Sequence, residues 1–228
     1  MKQSFRLPLE ILACFFICLG LTGVDVFCQR FSQPIPDIAW FIAVASLFVL
    51  PILAVRKFRP KDDHKAGIDI PFKVRDILIG IAITVILFIP VAAGYHIFQT
   101  QFLGHQFFFD FSRFDLLETS IIYQCLFQII CVAFPEEFFY RGYMQTGWIE
   151  YFGKSPKMQK YAVPAAIVIS SLFFAISHLP SGNITRLATF FPGLLFGIIR
   201  YKTHSLVPAI ICHAGCNMMM FVLSVFYA

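Results

Sequence analysis

Seven long apolar runs separated by short polar segments organise the chain: Leu7–Phe27, Ile38–Val55, Ile77–Phe98, Leu116–Tyr151, Tyr161–Leu179, Leu187–Ile199 and Ser205–Phe226. A helix needs roughly 20 apolar residues to cross a hydrocarbon core about 30 Å thick, and most of these runs come close to that length. The pattern therefore predicts an all-α fold, a polytopic membrane helical bundle of about seven transmembrane helices. The first run follows Lys2 and Arg6 and has the outline of a signal peptide. No small-x-small cleavage site follows it, and Phe27 before Cys28 spoils a lipoprotein-type site, so it reads as a retained first span. Glu10 and Asp25, near its ends, are expected to reach the interface by snorkelling. Pro34 and Pro36 mark a turn, Pro90 and Gly94 a kink in the third run, and the aromatic segment Gln99–Asp115 a belt at headgroup level. The fourth run, helical in character for about 36 residues or roughly 54 Å, is too long for one straight span. Either an interfacial helix precedes it or Pro135 breaks it. The sixth run is short and holds Pro192 and Gly193.

Composition sharpens this picture. Of 228 residues, 58% are apolar and 14% charged, where a soluble domain averages about 25% charged; the mean hydropathy is +0.75. The net charge of +5 could suggest nucleic acid, but the Lys and Arg residues lie in short loops between apolar runs, as cytoplasmic anchors do. With the N-terminus cytoplasmic, fourteen of the eighteen basic residues fall on the inner side, seven of them in the loop Arg56–Asp76, which is expected to lie along anionic headgroups. Only Arg30, Arg113 and Arg186 fall outside, and the eighteenth, Arg141, lies within the fourth run. A missed or extra span would invert everything after it. The seven cysteines sit mostly within apolar runs and are read as reduced packing residues.

Three polar clusters interrupt apolar sequence. The first is FPEEFFYRGYMQTGW, Phe134–Trp148, with Glu136, Glu137 and Arg141. A charge at the bilayer centre costs roughly 2.5–3.5 kcal/mol, so three within six residues require partners. At helical pitch Glu137 and Arg141 are i, i+4 neighbours and can pair, while Glu136 projects about 100° away, free to face a cavity. The second cluster is Phe174-x-x-x-His178, just before Pro180. The third is His213-x-x-x-Asn217, whose side chains share one helix face. A helix end solvated at the interface explains the first cluster equally well, and a lone histidine explains the second. Taken together, however, Glu136, His178, His213 and Asn217 are a carboxylate base, two imidazoles and an amide donor on three helices. That set suits the addition of water to a carbonyl: a glutamate with a histidine can deprotonate water, and a histidine with an amide can donate to the oxyanion. There is no Gly-rich phosphate loop, HExxH or GxSxG. A proton-coupled transporter would also explain buried carboxylates, but not the HxxxN pair, and no inverted repeat is visible.

The ordered set EExxxR, FxxxH and HxxxN, with the run FPGLLFGIIRYKTHSLVPAIICHAGCN, resembles the CPBP family of intramembrane proteases, which includes type II CAAX prenyl endopeptidases and bacteriocin-processing or bacteriocin-immunity proteins. The resemblance covers about Phe134–Met218. It implies a catalytic helical core at 116–228 behind N-terminal helices and a basic loop at 1–115, all in one integral membrane domain. It implies Glu136 as the water-activating base with His178 as its partner, His213 and Asn217 as oxyanion and substrate contacts, and Glu137 with Arg141 organising the site. The expected activity is intramembrane endopeptidase, hydrolysing a peptide bond of a membrane-associated protein or peptide. The alternative is a non-catalytic immunity or scaffold protein of the same fold. No cofactor is expected, although Glu136, His178 and His213 could hold a divalent metal such as zinc beside an open position. The partners expected are the substrate and the lipid bilayer, not nucleic acid. The expected location is a multi-pass protein of the plasma (inner) membrane, if bacterial. Counted from the cytoplasmic ends, His178 lies roughly 14 Å deeper than His213. Tilt, a longer fifth helix, or breaks at Pro135, Pro164 and Pro208 would reconcile the two.

Overall fold

A computed structural model describes residues 6–30, 36–58, 73–110, 112 and 120–227. Lys2, Pro34, Arg113 and the centre of the basic loop, Arg59, Lys61, His64 and Lys65, lie outside the described residues. The helices are α1 (Arg6–Arg30), α2 (Pro36–Phe58), α3 (Val74–Ile97), α4 (Ile121–Gly153), α5 (Ala162–Ile176), α6 (Phe190–Thr203) and α7 (Val207–Ser224). Among the described residues the only β pairing is an isolated bridge between Phe107 and Tyr227. Among the described residues six helices are long and apolar enough to cross a membrane. By length and composition these helices make an integral, multi-pass membrane protein. The sixth expected span is the exception: residues 184–189 wind as a 3-10 helix, leaving α6 with 14 residues, about 21 Å at ideal rise.

The long fourth run is neither preceded by an interfacial helix in the described residues nor broken at Pro135. Helical hydrogen bonding continues from Ile121 to Gly153 because the backbone widens into π-helix at Gln128–Ala133 and again at Phe138–Met144. The first widening ends with Phe134 N–H donating to Ile129 O, one residue before a proline that cannot donate at all. A wider turn relieves the clash that the proline ring makes with the preceding carbonyls. Pro164 and Pro208 do not break helices either. They occupy the first turns of α5 and α7, where a missing N–H leaves nothing unsatisfied.

The chain divides into two units, Met1–Pro71 with Pro135–Leu206 and Phe72–Phe134 with Val207–Ala228. The core of the first is built from Leu7, Ile11, Phe15 and Cys18 of α1, Val55 of α2, Phe139, Tyr143, Met144 and Trp148 of α4, and Phe174 of α5. The α1 residues recur every three or four positions, one stripe of a helix whose other face exposes Leu9, Phe16 and Phe27. In lipid that exposed face is solvated, and helices associate through close packing and hydrogen bonds. Gly147 of α4 supplies such a contact: a Cβ there would stand 2.6 Å from Ile11 Cδ1. Glu10 and Asp25 do not snorkel. Both are buried, Glu10 accepting a 2.9 Å hydrogen bond from the Tyr143 hydroxyl and Asp25 one of 2.9 Å from Gln29. All seven cysteines are free thiols, four of them buried.

In the second unit α3 packs on α7. A Cβ on Gly80 would fall 2.7 Å from Ile211 Cβ, and one on Gly215 would run into Thr84, so each helix has a notch for the other. At one end His96 Nδ1 lies 3.0 Å from the Tyr227 hydroxyl, and Phe108 N–H donates to Phe226 O at 2.7 Å. Phe107 packs on both His96 and Tyr227 there, the aromatic composition expected of a headgroup belt.

Candidate active site

Glu136 and Glu137 lie on a single α turn, Phe134–Glu137, between the two π-helical stretches of α4. Short π segments within α-helices recur at functional sites because they turn side chains away from their regular positions. Glu137 and Arg141 form an ion pair of 3.1 Å, and both side chains are 0% exposed. Other elements also meet the guanidinium. Its Nη2 donates to Gly193 O of α6 at 3.1 Å, and its carbon stands 4.3 Å from the centre of the Phe174 ring. One turn on, Gln145 Nε2 donates to Gly197 O, again at 3.1 Å. Arg141 and Gln145 thus read two carbonyls one turn apart on α6. The glycines permit this approach: a Cβ on Gly193 would lie 3.2 Å from Arg141 Nη2, and one on Gly197 3.0 Å from Gln145 Oε1.

His178 follows the end of α5, where the last carbonyls have no helical partner. Its Nδ1 approaches Phe174 O at 2.7 Å, and Ser177 Oγ donates to the same oxygen at 2.7 Å. A carbonyl only accepts, so Nδ1 carries the proton and Nε2 is left with its lone pair in the neutral ring. This explains the FxxxH spacing: the side chain at i+4 supplies the donor that the backbone no longer does. Phe174 holds the site together as well, its ring lying edge-on to His178 at 4.8 Å and to Tyr140 at 5.2 Å while it carries Arg141 on its face.

Glu136 and His178 line one cavity of about 190 Å³, within the first unit. Tyr140, Ser177 and Arg186 also line it, with Cys18 and Thr22 of α1. None of these was singled out from the sequence. Tyr140 was within reach, since it stands at i+4 from Glu136 as Arg141 does from Glu137. His213 and Asn217 belong to the second unit, on α7, with His213 buried. Asn217 Nδ2 donates to Gln128 Oε1 at 2.9 Å, so a glutamine in the first π-helical stretch of α4 orients the amide. Among the described residues no three His, Cys, Asp or Glu side chains gather as a metal site requires.

Residues 118–219, a little under half of the chain, match the family described as type II CAAX prenyl endopeptidase Rce1-like. Over those residues the chain is similar to the Rce1-like proteases. This bears out the resemblance to CPBP proteases, and the match starts earlier than Phe134, taking in the apolar run that holds Gln128. The family is one of proteases, which act on peptide or protein substrates. Comparison with curated proteins gives no match.

Proposed function

We propose that this protein is an intramembrane endopeptidase in which Glu136 and His178 hold the hydrolytic water. The observation that carries this reading is their shared cavity. Glu136 takes a proton from the water as its oxygen attacks the peptide carbonyl, and His178 accepts a hydrogen bond from the same water at Nε2. His213 and Asn217 donate to the oxyanion that forms. Collapse of the tetrahedral intermediate breaks the C–N bond, and the proton held by Glu136 passes to the leaving amine. The Rce1-like match, which includes both HxxxN residues, supports adding His213 and Asn217 to this scheme. Glu137 and Arg141 position the helix that presents Glu136. No metal takes part; full activity after dialysis against a chelator fits this scheme, whereas loss reversed by zinc contradicts it.

The substrate is a membrane-associated protein or peptide cut near one end, and residues 116–228 supply the catalytic core. The N-terminus is cytoplasmic, and the membrane is the plasma (inner) membrane if the cell is bacterial. If α6 does not cross, Arg200 and Lys202 move to the outer side, yet twelve basic residues against five still favour this orientation. The test is hydrolysis in ¹⁸O-water: purified protein in liposomes with membrane-protein substrates should generate new C-termini carrying ¹⁸O. Glu136→Gln, folded to the same extent, should generate none. Equal labelling by the variant would remove Glu136 from the chemistry and favour the non-catalytic reading of the fold.

A further inference from the structure

Away from the cavity that holds Glu136, helices α1 and α2 enclose a second and larger one. The two run antiparallel. Arg6 lies over the Phe58 ring at 5.1 Å, and Ser46 Oγ reaches Cys18 Sγ at 3.4 Å about halfway along both helices. Between them is a groove of about 700 Å³. Its walls are Ala13, Ile17, Leu50 and Leu53, and its end carries Arg56 and Lys57. Arg6 stands at the same end, and Lys57 also lies over Phe58, at 5.5 Å. Glu10 borders the groove one turn further in, with its carboxylate accepting from Tyr143.

This is an amphipathic site with a definite polarity. From Arg6 to Ile17 the groove descends about 16 Å at helical rise, which is half of a hydrocarbon core about 30 Å thick. It therefore spans one leaflet, with three cations at the headgroup level and aliphatic side chains below. Basic pockets between transmembrane helices bind anionic lipid headgroups on this physical basis. We propose that the α1–α2 groove is a binding site for one anionic phospholipid, its phosphate between Arg56 and Lys57 and an acyl chain along Ile17, Leu50 and Leu53. A zwitterionic lipid offers the same chain but no net charge to the cations, so the site discriminates by headgroup.

The test uses the full chain in neutral detergent, with native mass spectrometry counting retained lipid. Phosphatidylglycerol should bind more tightly than phosphatidylcholine of identical chains, and glycerol 3-phosphate, the headgroup chemistry without chains, should not be retained. The double variant Arg56→Gln/Lys57→Gln should weaken phosphatidylglycerol roughly thirtyfold, equivalent to about 1 kcal/mol per charge, and leave phosphatidylcholine unchanged. Leu53→Trp keeps both cations and fills the groove, so it should weaken both lipids. Equal affinity for the two lipids would overturn the site, as would an unchanged preference in the double variant. An equal loss from Lys154→Gln/Lys157→Gln, in another basic loop, would reassign the preference to diffuse surface charge. Retention of glycerol 3-phosphate would make it a phosphate site rather than a lipid site.

Discussion

Replacing Arg141 by Met removes the charge but keeps most of the side-chain volume. What it leaves behind decides the cost. Glu137 is 0% exposed and loses a partner at 3.1 Å, and Gly193 O loses a donor at the same distance. Breaking a buried pair by removing one member costs roughly 3–5 kcal/mol, because the other charge stays desolvated. Glu137→Gln should cost a similar amount, with the guanidinium now the uncompensated charge. The double variant removes both charges, so the desolvation penalty disappears. What remains is the lost donor to Gly193 and the lost stacking on Phe174, roughly 1.5–3 and about 2 kcal/mol at most. The double loss should therefore fall at least about 1 kcal/mol short of the sum of the single losses. Arg141→Lys keeps the charge but not the fork, and should fail to serve carboxylate and carbonyl together. Unfolding free energies in mixed micelles for the three variants measure the coupling. Additivity within about 0.5 kcal/mol would refute the pairing and leave the EExxxR spacing unexplained.

Two further predictions follow from neighbouring contacts. Gly193→Leu should prevent α6 from seating on α4, lowering both stability and turnover by the roughly 1–3 kcal/mol of an overpacked core, whereas Gly193→Ala, with its nearest heavy atom at 3.1 Å, should cost less; equal costs, measured in the same micelles, would mean that the close approach is not needed. Gln128→Leu should lower kcat by releasing the Asn217 amide, and Gln128→Glu, which still accepts, should restore most of it; equal activity in all three proteins would show that Asn217 needs no orienting partner.

The helical class, six of the seven span positions and the spacing of the three motifs were legible because hydropathy and i, i+4 geometry are local. What the sequence hid is set by contacts between distant residues. Glu10 is placed near a helix end by its sequence, yet its burial depends on Tyr143, far along the chain. The π-helical stretches around Glu136 have no composition of their own, since i→i+5 bonding is a response to Pro135 and to packing. Leu187–Ile199 reads as a span, but its first residues wind as 3-10 helix after the left-handed turn at Gly182 and the Asn183 side-chain cap, which shortens α6. Tyr140, Ser177 and Gln128 are inconspicuous in the sequence because uncharged polar residues are tolerated within apolar runs. Phe174 was visible as half of FxxxH, but its role under the Arg141 guanidinium was not.

The proposal that Glu136, His178, His213 and Asn217 serve a single water is tested most directly by turnover of three purified variants, Glu136→Gln, His213→Ala and the two combined. Groups that act on one reacting centre are grossly non-additive, so the double variant should be no slower than the slower single one. Losses that multiply, or wild-type turnover with Glu136→Gln, would contradict it.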